Sequence, residues 1–294
     1  MIARIIVILE QKLVKKLIVD SGATKTIWVS IIGGEKKRIY TEGTNPALIS
    51  DEEFSRIIRE KLIPALPDED YDSIYFYGAG CGNEHRANRV SNILRSFFLG
   101  DEVHVKTDIE GAGLGLFGLT EGILLISGTG SSAGVMRNGK LVDQMPSDPF
   151  PGGDFGSGSH IGGMVLQAYL KGKAPSTFVE IIQTSGGGNK DELLSKLKDQ
   201  KSAKRIASHT MFIVKELSEH DFLHNIAERS IRLFFEELDG YFSEDLKIFP
   251  IKVNGSTAFH FSNIFREIFG EAGIQIDMIQ KNPIDELVHF HSHD

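Results

Sequence analysis

The sequence predicts an α/β protein of two related domains, on three observations. A strand–loop–strand–turn–strand unit occurs twice, at residues 17–40 and again at 123–143. Its Ser-Gly pairs, Ser21-Gly22 and Ser127-Gly128, stand 106 positions apart. Its second turns, Gly33-Gly34 and Asn138-Gly139, stand 105 apart. Matched order at nearly one offset favours duplication over chance. After each unit, strand patterns alternate with helical ones, as in α/β folds. The chain has 294 residues, 41% of them hydrophobic, enough for two domains with cores of their own.

Each element has a local reason. "LIVD" is an apolar strand, and "TIWVSII" and "KKRIY" follow it across a loop and a Gly-Gly turn. Gly-Gly and Asn-Gly are strong hairpin signals because both central positions take positive φ. "SDEEFSRIIREKLIPAL" opens with Ser50 and Glu53 at capping-box spacing, so a helix follows Ser50. "YDSIYFYGAG" reads as a strand entering a glycine turn, "NRVSNILRSFF" as an amphipathic helix, and "EVHVKTD" as a strand ending at Asp108. "IEGAGLG" after it reads as a glycine-rich segment that lets a ligand approach. In the second half, "ILLI", "SAGVMR" and "KLVDQ" are strands. "SHIGGMVLQAYLKG", "DELLSKLKD", "AKRIASHTMFIVKEL" and "DFLHNIAERSIRLFFEELDGYF" are helices, and "SGGGNK" is a loop. "IKVNGSTAF" is a strand into a glycine turn, and "NPIDELVHF" closes the chain as a helix. Ligands of such sheets sit beyond strand C-termini. The loops of interest therefore follow strands at 20, 78, 108, 127 and 254.

Composition narrows the function. The net charge is −8, and "KKR" at 36–38, a solvated hairpin tip, is the one cluster of basic residues. That argues against a nucleic-acid partner and favours a small molecule. No apolar run reaches the length of a membrane span. The start, "MIARIIVILEQKLVKKL", is apolar and then basic, the reverse of a secretory signal, and reads as a strand or frayed lead-in. Cys81 is the single cysteine, which fits a reducing cytoplasm.

The chemistry concentrates in the two duplicated loops. Loop one is Asp20-Ser21-Gly22-Ala23-Thr24-Lys25-Thr26; loop two is Ser127-Gly128-Thr129-Gly130-Ser131-Ser132. Small residues let backbone N–H groups approach an anion, and hydroxyls and a lysine add donors. A triphosphate needs such a cradle and a Mg²⁺ ion, for which Asp20 is a fitting oxygen anchor. Alone, each loop reads as a tight hairpin; as a facing pair they suggest one phosphate gripped from two sides. Neither is a Walker A loop, and neither has the dinucleotide fingerprint.

In order, the chain carries "DSGATKT", "KTDIEGAG", "ISGTGSS", "GGDFGSGSHIG" and "VNGS". These motifs resemble those of the sugar kinase, hsp70 and actin superfamily, most closely the N-acetylglucosamine kinases and related BadF/BadG-type ATPases. The resemblance runs from Leu17 to the C-terminus. It implies two duplicated actin-like (ribonuclease H-like) domains with a nucleotide and sugar cleft between them. The first would span 1–112, closed by a C-terminal helix over 283–294, and the second 113–282. It implies ATP and Mg²⁺ as cofactors, a sugar as substrate, a cytoplasmic location and room for a homodimer, with neither nucleic acid nor membrane as partner. Asp20 would hold Mg²⁺. Gly22, Thr24 and Lys25 would form the first phosphate loop, Gly128 and Thr129 the second. Gly255 and Ser256 would lie against adenosine. Asn45 and Asp154, with Gly153 beside it, would contact the sugar. Asp108 would be the general base.

Asp108 suits that role chemically, since phosphoryl transfer asks of the protein mainly alignment, charge and one carboxylate to deprotonate an alcohol. Its structural alternative is a cap at a strand–helix junction, and Glu110 is the reserve base. The sequence departs from the family where Phe155 replaces an acidic residue in "GDFGSG", and where Phe150 is the nearest aromatic to a tryptophan of related kinases. That leaves the sugar open between N-acetylglucosamine and glucosamine or another amino sugar. An ATPase module driving a partner and a non-catalytic sensor are the rivals from other classes. The terminal "HFHSHD" reads as incidental, His160 as a phosphate contact or helix packing, and Cys81 as a small loop residue.

Overall fold

A computed structural model of the chain describes residues 13–68, 70–99, 102–146, 148, 152–187 and 190–292. These divide into two compact units, one ending at Asp108 and the other starting at Ile109.

The first unit is built on β1 (Lys15–Ser21), β2 (Lys25–Ile32), β3 (Glu35–Glu42), α1 (Asp51–Ile57), β4 (Ser73–Gly78), α2 (Glu84–Phe97) and β5 (Glu102–Thr107). Its five-stranded sheet has the order β3-β2-β1-β4-β5. β1, β2 and β3 pair antiparallel, while β1, β4 and β5 run parallel. Gly33 and Gly34 take φ 56° and 89°, the double positive turn that the Gly-Gly pair predicts. Ser50 caps α1 by accepting the Glu53 N–H at 3.2 Å. The core gathers Leu17, Val19, Trp28, Phe54, Phe76 and Leu94. Its buried polar atoms are paired: the Trp28 indole donates to Thr41 at 2.9 Å and the Tyr71 hydroxyl to Ser30 at 2.9 Å.

The second unit repeats this plan. α3 (Asp108–Phe117) leads into it, followed by β6 (Gly122–Ser127), β7 (Ser131–Arg137) and β8 (Lys140–Gln144). Next come α4 (Gly158–Leu170), α5 (Ser176–Ile182), α6 (Lys190–Lys196), α7 (Gln200–Val214), α8 (Asp221–Phe242) and α9 (Asp245–Ile248). β9 (Ile251–Asn254), α10 (Ser256–His260), α11 (Ser262–Glu271), β10 (Ile276–Gln280) and α12 (Ile284–Ser292) complete it. Its sheet order is β10-β9-β6-β7-β8, the first sheet's order with strands renumbered. Again the first three strands pair antiparallel, and β6, β9 and β10 run parallel. Asn138 and Gly139 take φ 50° and 70° and repeat the turn. Each loop is closed by a backbone bond from its glycine, of differing span: the Gly22 N–H donates to the Lys25 carbonyl and the Gly128 N–H to the Gly130 carbonyl, both at 2.9 Å. The duplication read from two spacings is thus present in strand order and turn type.

Three local readings change. "IEGAGLG" is not an open segment; it lies within α3. A Cβ on Gly113 would meet the Met136 sulfur at 2.4 Å, and one on Gly115 the Leu287 N at 3.2 Å. Those glycines serve close packing of the helix. Residues 183–187 of "SGGGNK" and its approach form a π-helical turn, and 188–189 lie outside the described residues. α5, α11 and β10 were not singled out, although "SNIFREIFGE" has a helical apolar spacing. Phe150, His293 and the lead-in through residue 12 also lie outside the described residues.

Candidate active site

The first unit gathers its chemistry at the C-terminal edge of β1, β4 and β5. The register aligns Asp20 with Tyr77, and Tyr77 with Lys106. Asp108 follows β5 directly and is the first residue of α3. Asp20 is half-buried, and burial followed by the charge of Asp108 pushes its carboxyl up to about 7, with Lys25 acting in the opposite sense. A carboxyl whose ionisation is opposed by burial and by a neighbouring carboxylate marks a place matched to a cation.

The hydroxyls of loop one divide by depth. Ser21 and Thr26 are fully buried, as is Thr44. Ser21 and Thr44 share a hydrogen bond at 2.8 Å, Thr26 donates to Ser21 at 3.2 Å, and the Thr44 N–H donates to Thr26 at 3.1 Å. This knot ties β1 and β2 to residues 43–45. Thr24 and Lys25 stand exposed at the tip, with the Lys25 ammonium 5.6 Å from the centre of the Tyr40 ring. Asn45 is brought to the same edge. Its side chain accepts the Ala47 N–H at 2.8 Å and lies against Gly80, where a Cβ would be 2.1 Å from Asn45 Oδ1. Gly80 takes φ 86°, open to glycine alone at that distance. Cys81 is buried, and burial followed by the charge of Asp108 pushes its thiol up to about 12, so it stays protonated.

The second unit builds its site around loop two. The Gly128 carbonyl accepts from the Gly158 N–H at 2.8 Å and from the Thr257 hydroxyl at 2.8 Å, and the Thr129 carbonyl accepts from the Ser159 N–H at 3.1 Å. The first turn of α4 is thereby docked on the loop. Ser157 caps α4, accepting the His160 N–H at 3.2 Å. Gly255 takes φ 135°, and a Cβ there would lie 2.1 Å from the Ser127 carbonyl oxygen. Only glycine brings β9 this close to the loop. Ser256 is exposed at the start of α10.

Asp154 also belongs to this cluster. It is buried, its backbone is left-handed at φ 60°, and it accepts the Ser131 N–H at 3.1 Å with one oxygen and the Lys204 ammonium at 2.5 Å with the other. Gly153 packs on backbone; a Cβ would be 2.0 Å from the Asp148 carbonyl oxygen. Phe155 turns toward the core, with its ring edge-on to His160 at 4.8 Å. His160 bonds Ser230 at 2.7 Å through Nδ1, and burial lowers its pKa. His160 is thus committed to packing among these groups.

Each unit therefore collects its own sequence-predicted residues: Asp20, Gly22, Thr24, Lys25, Asn45 and Asp108 in the first, and Gly128, Thr129, Gly153, Asp154 and Gly255 in the second. Sequence reading missed Lys204, Thr44 and Ser230. Lys204 is one of several lysines between 196 and 204, and nothing in its spacing marks it. Among the described residues no group of three or more His, Cys, Asp or Glu is placed to hold a metal ion. His289 is exposed and His291 buried. No described helix is long and apolar enough to cross a membrane.

No family model matches the chain, and no curated protein matches it in sequence. Solved structures do. The chain is similar to the Putative N-acetylglucosamine Kinase of Porphyromonas gingivalis, at 25% identity and a TM-score of 0.84 over 95% of this chain and 99% of the other. The corresponding protein of Chromobacterium violaceum has 14% identity and a TM-score of 0.71 over 95% and 99%. A ROK family glucokinase of Streptomyces griseus, solved with glucose and AMPPNP, has 13% identity and a TM-score of 0.56 over 96% and 100%. The chain has the two-domain, actin-like α/β fold of the sugar kinases.

Proposed function

We propose that this chain is an ATP-dependent sugar kinase that transfers the γ-phosphoryl group to the 6-hydroxyl of N-acetylglucosamine, with Asp108 as general base. The observation that carries the reading is the Asp20–Asp108 pair at one sheet edge, beside a tight loop bearing Lys25. A half-buried carboxyl raised to about 7 by burial and a second carboxylate suits a site that takes up positive charge and an alcohol proton. The fold likeness to an N-acetylglucosamine kinase at 25% identity supports the substrate class.

In this reading, Gly22, Thr24 and Lys25 bind phosphate from loop one, and Gly128 and Thr129 bind it from loop two. Gly255 and Ser256 line the adenosine. Asn45, Gly153 and Asp154 contact the sugar. Asp108 accepts the proton of the attacking hydroxyl as the bond to phosphorus forms. Mg²⁺ fits the donor set through Asp20, because that ion is commonly held by one or two carboxylates with waters and phosphates completing its shell. Bound there, it would offset the charge of the phosphates. A cytoplasmic location, where ATP is at hand, goes with this reading.

An ADP-release assay with MgATP tests this against N-acetylglucosamine, glucosamine, N-acetylmannosamine, glucose and no sugar. Strong stimulation by N-acetylglucosamine is expected. Stimulation by glucosamine alone would move the substrate to that sugar. Equal turnover in every well would replace the kinase by an ATPase.

A further inference from the structure

We propose that Lys204 is a phosphate-binding residue of loop two, held in place by Asp154. This rests on the kinase reading and adds to it a cation that the motifs do not contain.

Lys204 lies in α7, well away from loop two in sequence, yet its ammonium reaches the loop. A Cβ built on Gly130 would sit 3.5 Å from Lys204 Nζ and 2.7 Å from Asp154 Oδ1. The lysine ammonium therefore borders the space that a side chain on Gly130 would occupy. Asp154 is the intermediary. One of its oxygens accepts the Ser131 N–H at 3.1 Å, and the other binds the Lys204 ammonium at 2.5 Å. The carboxylate is fixed on loop backbone, and the ammonium is fixed on the carboxylate.

The exposures differ in the sense the proposal requires. The Asp154 side chain is 8% exposed and the Lys204 side chain 40%. The buried anion is the anchor, and the half-exposed cation faces outward with three donors, of which Asp154 engages one. Asp154 is also held in a left-handed backbone conformation, φ 60°, uncommon for a residue with a side chain. Such a conformation persists where surroundings enforce it. A lysine that needed only a surface ion pair would not require it. An anionic ligand on Gly130 would meet Lys204 at hydrogen-bonding range, and Asp154 would keep the ammonium oriented before the ligand arrives. Lys204 is then a binding residue, and Asp154 a positioning residue for it as well as a sugar contact.

The test is calorimetric binding of AMPPNP and of adenosine to wild type and to Lys204→Met. AMPPNP affinity is expected to fall about 10- to 100-fold, the loss of one hydrogen bond to a charged group, while adenosine affinity stays within about twofold. Lys204→Arg should recover part of the loss. Equal AMPPNP affinity in Lys204→Met and wild type would overturn the assignment. So would an equal loss for adenosine, since it would mean that the pair only holds the fold. Failure of wild type to bind either ligand would instead overturn the kinase reading. Should the Met variant fail to fold, lysine acetylation of wild type followed by mass spectrometry decides. Lys204 must be protected by AMPPNP and not by adenosine.

Discussion

Burial, and after it the charge of Asp108, raises the carboxyl of Asp20. Both sit at the C-terminal edge of the first sheet, and burial with the charge of Asp108 pushes Asp20 up to about 7 from an ordinary 3.8. Between those two values the folded chain binds more protons than the unfolded one. Stability of the ligand-free protein therefore falls as pH rises from about 4 to about 7, by a few kcal/mol at most for a half-buried group. Thermal melts without Mg²⁺ should show that decline, and Asp20→Asn should flatten it. Mg²⁺ with AMPPNP should raise the Tm more at pH 8 than at pH 5.5, because the ion competes with the proton.

Asp108→Asn removes the base and leaves the fold. Turnover with N-acetylglucosamine should fall by about 10²–10⁴ while AMPPNP binding stays near wild type. Steady-state kinetics with calorimetry on one preparation checks both. Near-normal turnover would pass the role to Glu110, two residues along α3.

Gly255→Ala puts a methyl group 2.1 Å from the Ser127 carbonyl oxygen at a φ of 135°. Strain and overlap together should cost at least about 2 kcal/mol. The residue moves β9 away from loop two, so nucleotide affinity should fall with the Tm. Differential scanning calorimetry and AMPPNP titration read the two effects.

Phe155→Glu puts an acidic residue where the family resemblance implies one. Here the ring packs edge-on to His160 and against the core, so a carboxylate should destabilise the second unit by about 1–3 kcal/mol. A new anion beside His160 should raise its imidazole pKa, which burial now lowers. An NMR titration of His160 and a melting curve test this. A carboxylate there that raised both stability and turnover would contradict the packing account.

The parts legible in the sequence are those written locally. The paired Ser-Gly loops and the Gly33-Gly34 and Asn138-Gly139 turns gave two matching three-strand units, because positive φ and loop closure are properties of adjacent residues. Ser50 and Glu53 gave the start of α1 for the same reason. Distant pairings were not legible. The hydroxyls of Ser21 and Thr26 look like ligand donors in the sequence but are buried against Thr44. "IEGAGLG" reads as a glycine-rich segment open to a ligand, yet it is helical, with Gly113 packed close to Met136 where a side chain would clash. Lys204 pairs with Asp154 across 50 residues, and no spacing rule connects α7 with a loop so far from it in sequence.

The central claim is transfer of phosphoryl to a sugar hydroxyl. Phosphorus NMR of a reaction holding the protein, MgATP and N-acetylglucosamine reads it directly. The account predicts a new phosphomonoester resonance coupled to a methylene, growing in step with ADP and absent without sugar or with Asp108→Asn. Inorganic phosphate alone, formed at the same rate with and without sugar, would contradict it.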